Sequence, residues 1–121
     1  MDTRTKIVEA EQAPPGCTVV TGTFDVIVAA DANDLSEIRA QYPGDALCVV
    51  VLPLAEALFA QRARAELAAA LRMVDYVVIA DDLAPEAMLA ALKPARTVRL
   101  QGVHELRKRR LTEHVQSRQI R

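Results

Sequence analysis

The chain has 121 residues and a net charge of −1, with 51% hydrophobic, 26% charged and 3% aromatic residues. This length suits a single domain over 1–121 with one core, and the composition excludes a disordered chain. Few aromatic side chains argue against a stacking surface for single-stranded nucleic acid, so we expect no nucleic-acid partner.

Residues 1–16 form a polar lead-in that ends in a Pro-Pro-Gly turn. No apolar run approaches the ~20 residues of a membrane span, and the N-terminus lacks the apolar stretch of a secretion signal. We therefore expect a cytoplasmic protein with no membrane partner. Cys17 and Cys48 lie in predicted strands, where we expect free, buried thiols.

Apolar runs and chain breakers predict alternating strands and helices. The runs predict strands at 17–22, 46–52, 74–80 and 95–100. The first helix is predicted to begin near Asp31 or Asp34, either of which can cap it, and to end before Pro43. Further helices are predicted after Pro53 to about Met73 and over 85–92. This alternation indicates an α/β, Rossmann-like fold with a predominantly parallel sheet flanked by helices.

A basic helix is predicted over 103–121. Residues 104–121 contain six Lys or Arg and two Glu, whereas the other residues contain nine Lys or Arg and fourteen Asp or Glu. We expect its sparse apolar side to pack on the sheet and its two histidines to lie at the surface. The basic cluster Arg107-Lys108-Arg109-Arg110 leaves open an interaction protein that uses this helix. The apolar positions are Leu106, Leu111, Val115 and Ile120.

A motif follows the first predicted strand, where residues 22–25 read Gly-Thr-Phe-Asp and a helix comes next. Residues 61–78 look like a helix, turn and strand with the spacing R-x-x-x-L-x-x-L-x-x-V-D-x-V-V. Together with a Gly-Asp before the second strand, these segments resemble the cytidylyltransferase-like nucleotidyltransferases over roughly residues 17–100. Heptose-phosphate adenylyltransferases and glycerol-phosphate cytidylyltransferases are the most similar by pattern.

The resemblance implies a nucleotide or sugar-phosphate ligand, Mg²⁺ if the chain is active, and a homodimer. The family signature is G-x-F-D-x-x-H-x-G-H, and this chain has Val28, Ala30 and Asp31 in place of His-x-Gly-His. In the family those histidines contact nucleotide phosphates, whereas Asp31 would repel them. We therefore predict a domain that has lost catalysis and acts as a binding or regulatory module.

The alternative is an active enzyme that moves a nucleotidyl group from CTP or ATP to a sugar or polyol phosphate. Asp31 would then hold Mg²⁺, and Arg64 or Lys93 would contact phosphate.

Five residues are candidates for nucleotide binding by this resemblance. The loop could hold a nucleotide through its backbone, or be kept only for its strand-to-helix geometry. Arg64 could reach phosphates or lie on a solvated helix face. We expect Asp25 to be a structural acceptor and Asp75 to cap or pair. The candidates are Thr21, Gly22, Thr23, Phe24 and Arg64.

Overall fold

The structure is a computed structural model that describes residues 2–119, with side chains through Gln116. Two short 3₁₀ turns, Thr3–Lys6 and Ala10–Gln12, precede the first strand. The strands are β1 (Thr18–Gly22), β2 (Leu47–Val51), β3 (Tyr76–Ile79) and β4 (Arg96–Arg99). The helices are α1 (Ala29–Gln41), α2 (Gln61–Ala69), α3 (Glu86–Leu92) and α4 (Gln101–Gln119).

The four strands form one parallel sheet in the order β3-β2-β1-β4. This confirms the predicted Rossmann-like α/β fold. The chain builds the sheet outward from β1 to β3 and then returns to place β4 on the other side of β1. The strand order therefore reverses between β1 and β4, and ligands of open α/β sheets bind outside the carboxyl ends of the strands at such a point.

The two central strands supply the core. Every residue of β1 and β2 is buried, which explains the unbroken apolar sequence of β2 and the small or apolar residues of β1. On one face Val20 and Val49 pack with alanines of α2, and on the other Val19 and Val50 pack with leucines of α3. Small alanines let α2 approach the sheet closely. Burying each valine stabilises the fold by about 1.5 kcal/mol or more.

Two helix boundaries differ from the predictions. The first helix begins at Ala29, two residues before Asp31. Asp31 is therefore the third residue of the helix, and its side chain accepts the Val28 amide at 2.9 Å from within the first turn. The second helix begins only at Gln61. The segment before it stays in a loop, in which the Leu58 and Phe59 amides donate to a carboxylate rather than to helical carbonyls.

The C-terminal helix also differs from the prediction. Its apolar side does not pack on the sheet, since Leu106, Leu111 and Val115 are all more than 40% exposed. The part of its inward side that contacts the domain is polar, and His104 there is only 4% exposed, so the predicted surface position for this histidine was wrong. His114 is exposed as predicted. Ile120 lies outside the described residues.

The cysteines, Asp75 and the helices each bear on a further prediction. Cys17 and Cys48 are free and buried, as predicted, and burial raises the pKa of Cys48 to about 12. Asp75 forms an ion pair with Arg39 and accepts the Leu47 amide, so its predicted pairing role is confirmed. Over residues 2–119, none of the helices is both long enough and apolar enough to cross a bilayer.

Candidate functional site

A cavity of about 450 Å³ opens at the carboxyl edge of the sheet, where the strand order reverses. Its volume and position are typical of ligand sites in open α/β sheets. Residues that follow three strands and the start of α4 contribute to its walls. The lining residues are Thr23, Leu52, Leu54, Glu56, Leu83, Gln101, Gly102, Glu105 and Lys108.

Asp25 joins the loop after β1 to α4 through an ion pair with Lys108. Lys108 donates from Nζ to Asp25 Oδ2 at 2.8 Å and to the Glu56 carbonyl at 3.1 Å. The Leu58 and Phe59 amides also donate to this carboxylate, at 2.7 and 3.0 Å. Burial raises the pKa of Asp25, but these three donors outweigh it and hold the pKa below its usual range. The predicted role of Asp25 as a structural acceptor is confirmed.

Ion pairs of Arg107 join α4 to the beginning of α1. Arg107 Nη1 lies 2.6 Å from Asp31 Oδ1 and 2.6 Å from Asp34 Oδ2. Asp31 is buried, and hydrogen bonds to Asp34 and Asp31 raise the pKa of Arg107. The carboxylate that replaces the second signature histidine is therefore neutralised by the protein itself. Of the other two signature positions, Val28 precedes the helix and Ala30 is exposed on it.

His104 contacts the loop after β1 and also lies close to Asp31 at the beginning of α1. Its ring packs on Phe24 with centroids 4.3 Å apart and a 60° interplanar angle. The Phe24 amide donates to His104 Nδ1 at 3.3 Å, which places the ring proton on Nε2. Nε2 lies 3.7 Å from Asp31 Oδ1 and has no hydrogen-bond partner within the described residues. Burial lowers the pKa of His104, with Asp31 opposing and Arg107 adding to that effect, so the buried ring is neutral.

Gly22 is required because the His104 ring comes so close to the backbone. A Cβ at this position would lie 2.4 Å from His104 Cε1 and 2.9 Å from Phe24 Cε2. Phe24 itself adopts a left-handed conformation with φ of 51°, which is uncommon for a bulky residue. A side chain of α4, and not a ligand, therefore makes the close approach to the backbone at Gly22.

Arg64 is buried beneath the same loops, with only 1% of its surface exposed. Its guanidinium donates to the carbonyls of Thr23 at 2.7 Å, Leu52 at 2.9 Å and Phe59 at 3.1 Å. The interpretation of Arg64 as part of a solvated helix face was therefore wrong. Burial lowers the pKa of Arg64, and Asp25 opposes this shift. Arg64 joins the loops after β1 and β2 to each other.

Two threonines of the predicted set lie at the cavity or directly beneath it. Thr21 donates from Oγ1 to Gln101 Oε1 at 2.8 Å, which connects β1 to the first residue of α4. This bond leaves the Gln101 amide nitrogen able to donate elsewhere. Thr23 is nearly buried and lines the cavity. The predicted loop therefore reaches the cavity mainly through Thr23.

The residues around Asp31 do not fit the magnesium site that the active alternative requires. Its Oδ1 accepts from Arg107, and its Oδ2 accepts from the Val28 amide. Among the residues that the structure describes, no cluster of three or more His, Cys, Asp or Glu is arranged to hold a metal ion. A hard cation at Asp31 would have to displace both donors and lie beside a guanidinium.

Sequence reasoning missed the contribution of α4 to this region. Three side chains of α4 contact residues about 80 positions earlier: His104, Arg107 and Lys108. No local sequence pattern predicts contacts over such a distance in the chain. Their spacing of three and four residues does place them on one helix face, which was a usable signal.

A scan against models of known protein families and a search of curated protein sequences both find no match to this chain. The resemblance to the cytidylyltransferase-like family therefore stays a prediction, based on the motifs quoted above.

Proposed function

We propose that the chain is a nucleotidyltransferase-like binding module that does not transfer nucleotides. The observation that carries this proposal is the pairing of its cations with its own oxygens. Arg107 is bound to Asp31 and Asp34, and Lys108 is bound to Asp25. A triphosphate would have to compete with these carboxylates for each cation, which is unfavourable in a partly buried cleft. Arg64, which the sequence offered as a phosphate contact, is committed to backbone carbonyls.

The cavity favours the uncharged part of a nucleotide or sugar-phosphate ligand. Leu52, Leu54 and Leu83 provide apolar walls, and Thr23 and Gln101 provide hydrogen-bonding groups. The lining also includes two carboxylates, which repel phosphate, and one lysine already paired with Asp25. We therefore propose that nucleosides bind here at least as well as their triphosphates, and that no bond to the α-phosphorus is broken.

Calorimetric titration with adenosine, cytidine, ATP and CTP, with and without Mg²⁺, tests this proposal together with a pyrophosphate-release assay. We expect nucleoside binding, no gain from the triphosphate and no pyrophosphate. Gly102→Val should fill part of the cavity and abolish binding. Gly44→Val is the matched control, because an added Cβ meets nothing within 4 Å at either glycine but only Gly102 lines the cavity.

Mg²⁺-dependent pyrophosphate release that is lost in Asp31→Asn would contradict the proposal and support the active alternative. Absence of binding by all four ligands would contradict the ligand class and leave the cavity without a nucleoside role. The folded state of each variant should be checked by circular dichroism.

A homodimer and a cytoplasmic location complete the proposal. The dimer comes from the resemblance to the family. The buried free thiols of Cys17 and Cys48 are compatible with a reducing compartment.

A further inference from the structure

The distal part of α4, residues 109–116, extends beyond the contacts that hold the helix to the domain. We call this segment the overhang. Among the described side chains, Lys108 is the last that joins α4 to another element by a hydrogen bond or ion pair. Among the described side chains of the overhang, hydrogen bonds lead only back into α4, from Arg109 to Glu105 and from Thr112 to the Lys108 carbonyl. The helix from residue 109 to its end at Gln119 adds about 16 Å beyond this anchor.

The overhang continues the inward face of α4 with apolar side chains. Leu111 and Val115 follow Lys108 at helical spacing and are 41% and 46% exposed. Arg109 and Arg110 lie exposed on the same segment. An exposed apolar pair on a basic helix is suited to a groove that is apolar at its floor and acidic at its rim.

The same chain carries such a groove at the carboxyl ends of β2 and β3. This groove has a volume of about 430 Å³ and is formed by the loops at 53–55 and 81–83. Pro53, Leu54 and Leu83 supply its apolar surface, and Leu83 is among the most exposed apolar residues of the chain. Asp81 and Asp82 supply its acidic rim, and both are exposed.

We propose that the overhang of one copy docks in this groove of a second copy. This inference rests on the proposed homodimer and assigns its surface. Charge complementarity supports it, because Arg109 and Arg110 of the overhang are exposed and so are Asp81 and Asp82 at the rim of the groove. Each copy has one overhang and one groove, and when each copy docks its overhang in the groove of the other, the two reciprocal contacts close a two-fold dimer. Leu111 and Val115 would lie against Leu54 and Leu83.

The molar mass measured by light scattering or sedimentation over a range of protein concentrations tests the surface. Leu111→Ser with Val115→Ser removes the apolar contact, and Asp81→Lys with Asp82→Lys reverses the rim. Each double variant should weaken dimerisation about tenfold or more, as expected when central contacts of an interface are removed. Raising salt from roughly 0.01 to 1 M should also weaken it, because the Debye length falls from about 30 to about 3 Å.

Matched controls use exposed residues of other surfaces. Leu67→Ser removes an exposed leucine of α2, and Glu11→Lys with Glu37→Lys reverses two exposed acids outside the groove. Neither should change the dissociation constant of the dimer by more than about twofold.

Mixing the two double variants gives the sharpest test. Neither variant can form an intact contact with itself, but a mixed pair has one overhang and one groove that are both unaltered. Mixing should therefore restore association that each variant alone lacks. A wild-type dimer that both variants leave unchanged would overturn this surface but not the dimer. A monomer at all concentrations would overturn both, as would a monomer that instead binds nucleic acid in a salt-dependent manner.

Discussion

The loops after β1 and β3 lie at the same edge of the sheet, and both contain aspartates. In the first loop and the helix turn after it, Asp25, Asp31 and Asp34 each pair with a cation of α4. In the second, Asp81 and Asp82 are exposed, and no ion pair to them occurs among the described residues. The difference arises because α4 starts after β4, next to β1, so that Arg107 and Lys108 reach the carboxylates of the first loop and of α1. An acidic loop is therefore a candidate site only where no other element has already neutralised it.

Among these substitutions, removal of Arg64 should lower the stability of the region around the first loop most. Arg64→Ala leaves three carbonyl groups without their donor, two of them in buried hydrogen bonds, and opens a cavity under both loops. We expect the free energy of unfolding to fall by about 3 kcal/mol or more. Arg62→Ala, on the exposed side of the same helix, should cost less than about 0.5 kcal/mol, because its pair with Glu66 is exposed and 3.8 Å long. Urea denaturation of the two variants measures both values, and equal losses would contradict the structural role of Arg64.

Removing charge from one aspartate in each loop compares the two regions directly. Asp31→Asn weakens the contact to Arg107 and leaves that cation with Asp34 alone, so we expect a loss of about 2 kcal/mol in unfolding free energy. Asp82→Asn should change it by less than about 0.5 kcal/mol, because the side chain is exposed. Urea denaturation at neutral pH measures both. If Asp82→Asn costs as much as Asp31→Asn, the contrast between the loops is wrong.

The smallest effect is a pH dependence that comes from His104. Its pKa in the folded protein lies below the ordinary value of about 6.5, so the unfolded chain takes up the proton more readily. The stability that this neutral ring contributes is present above about pH 6.5 and is lost as the pH falls toward the folded pKa. Between about pH 7 and pH 5, His104→Asn should therefore lose less stability than the wild type.

His114→Asn is the control, because His114 is exposed on the same helix and should leave the wild-type pH dependence unchanged. In the His104→Asn variant, the introduced side-chain amide oxygen can still accept the Phe24 amide, which keeps the loop contact. Asp25 has a lowered pKa, so its loss of stability begins only below about pH 4 and falls outside this window. Parallel pH profiles for wild type and His104→Asn would contradict a neutral buried ring.

The sequence alone determined the sheet and its order of elements. Parallel strands that are buried on both faces are mostly apolar. The apolar runs at 17–22 and 46–52 therefore predicted β1 and β2 to within a residue or two. It also placed the Gly22–Asp25 loop after β1 and foresaw the structural role of Asp25. Local patterns carry the strands and the loop because each depends on residues that are neighbours in the chain, whereas the donors to Asp25 lie 33 to 83 positions later.

Only the tertiary structure decided what surrounds that loop. His104, Arg107 and Lys108 read as a solvated basic helix, yet each reaches residues of the loop or the first turns of α1. Arg64 read as exposed, yet it lies beneath two loops. Polar side chains can face water or pair inside the protein, and sequence periodicity does not distinguish the two. Which one occurs depends on where distant donors and acceptors meet once the sheet has formed.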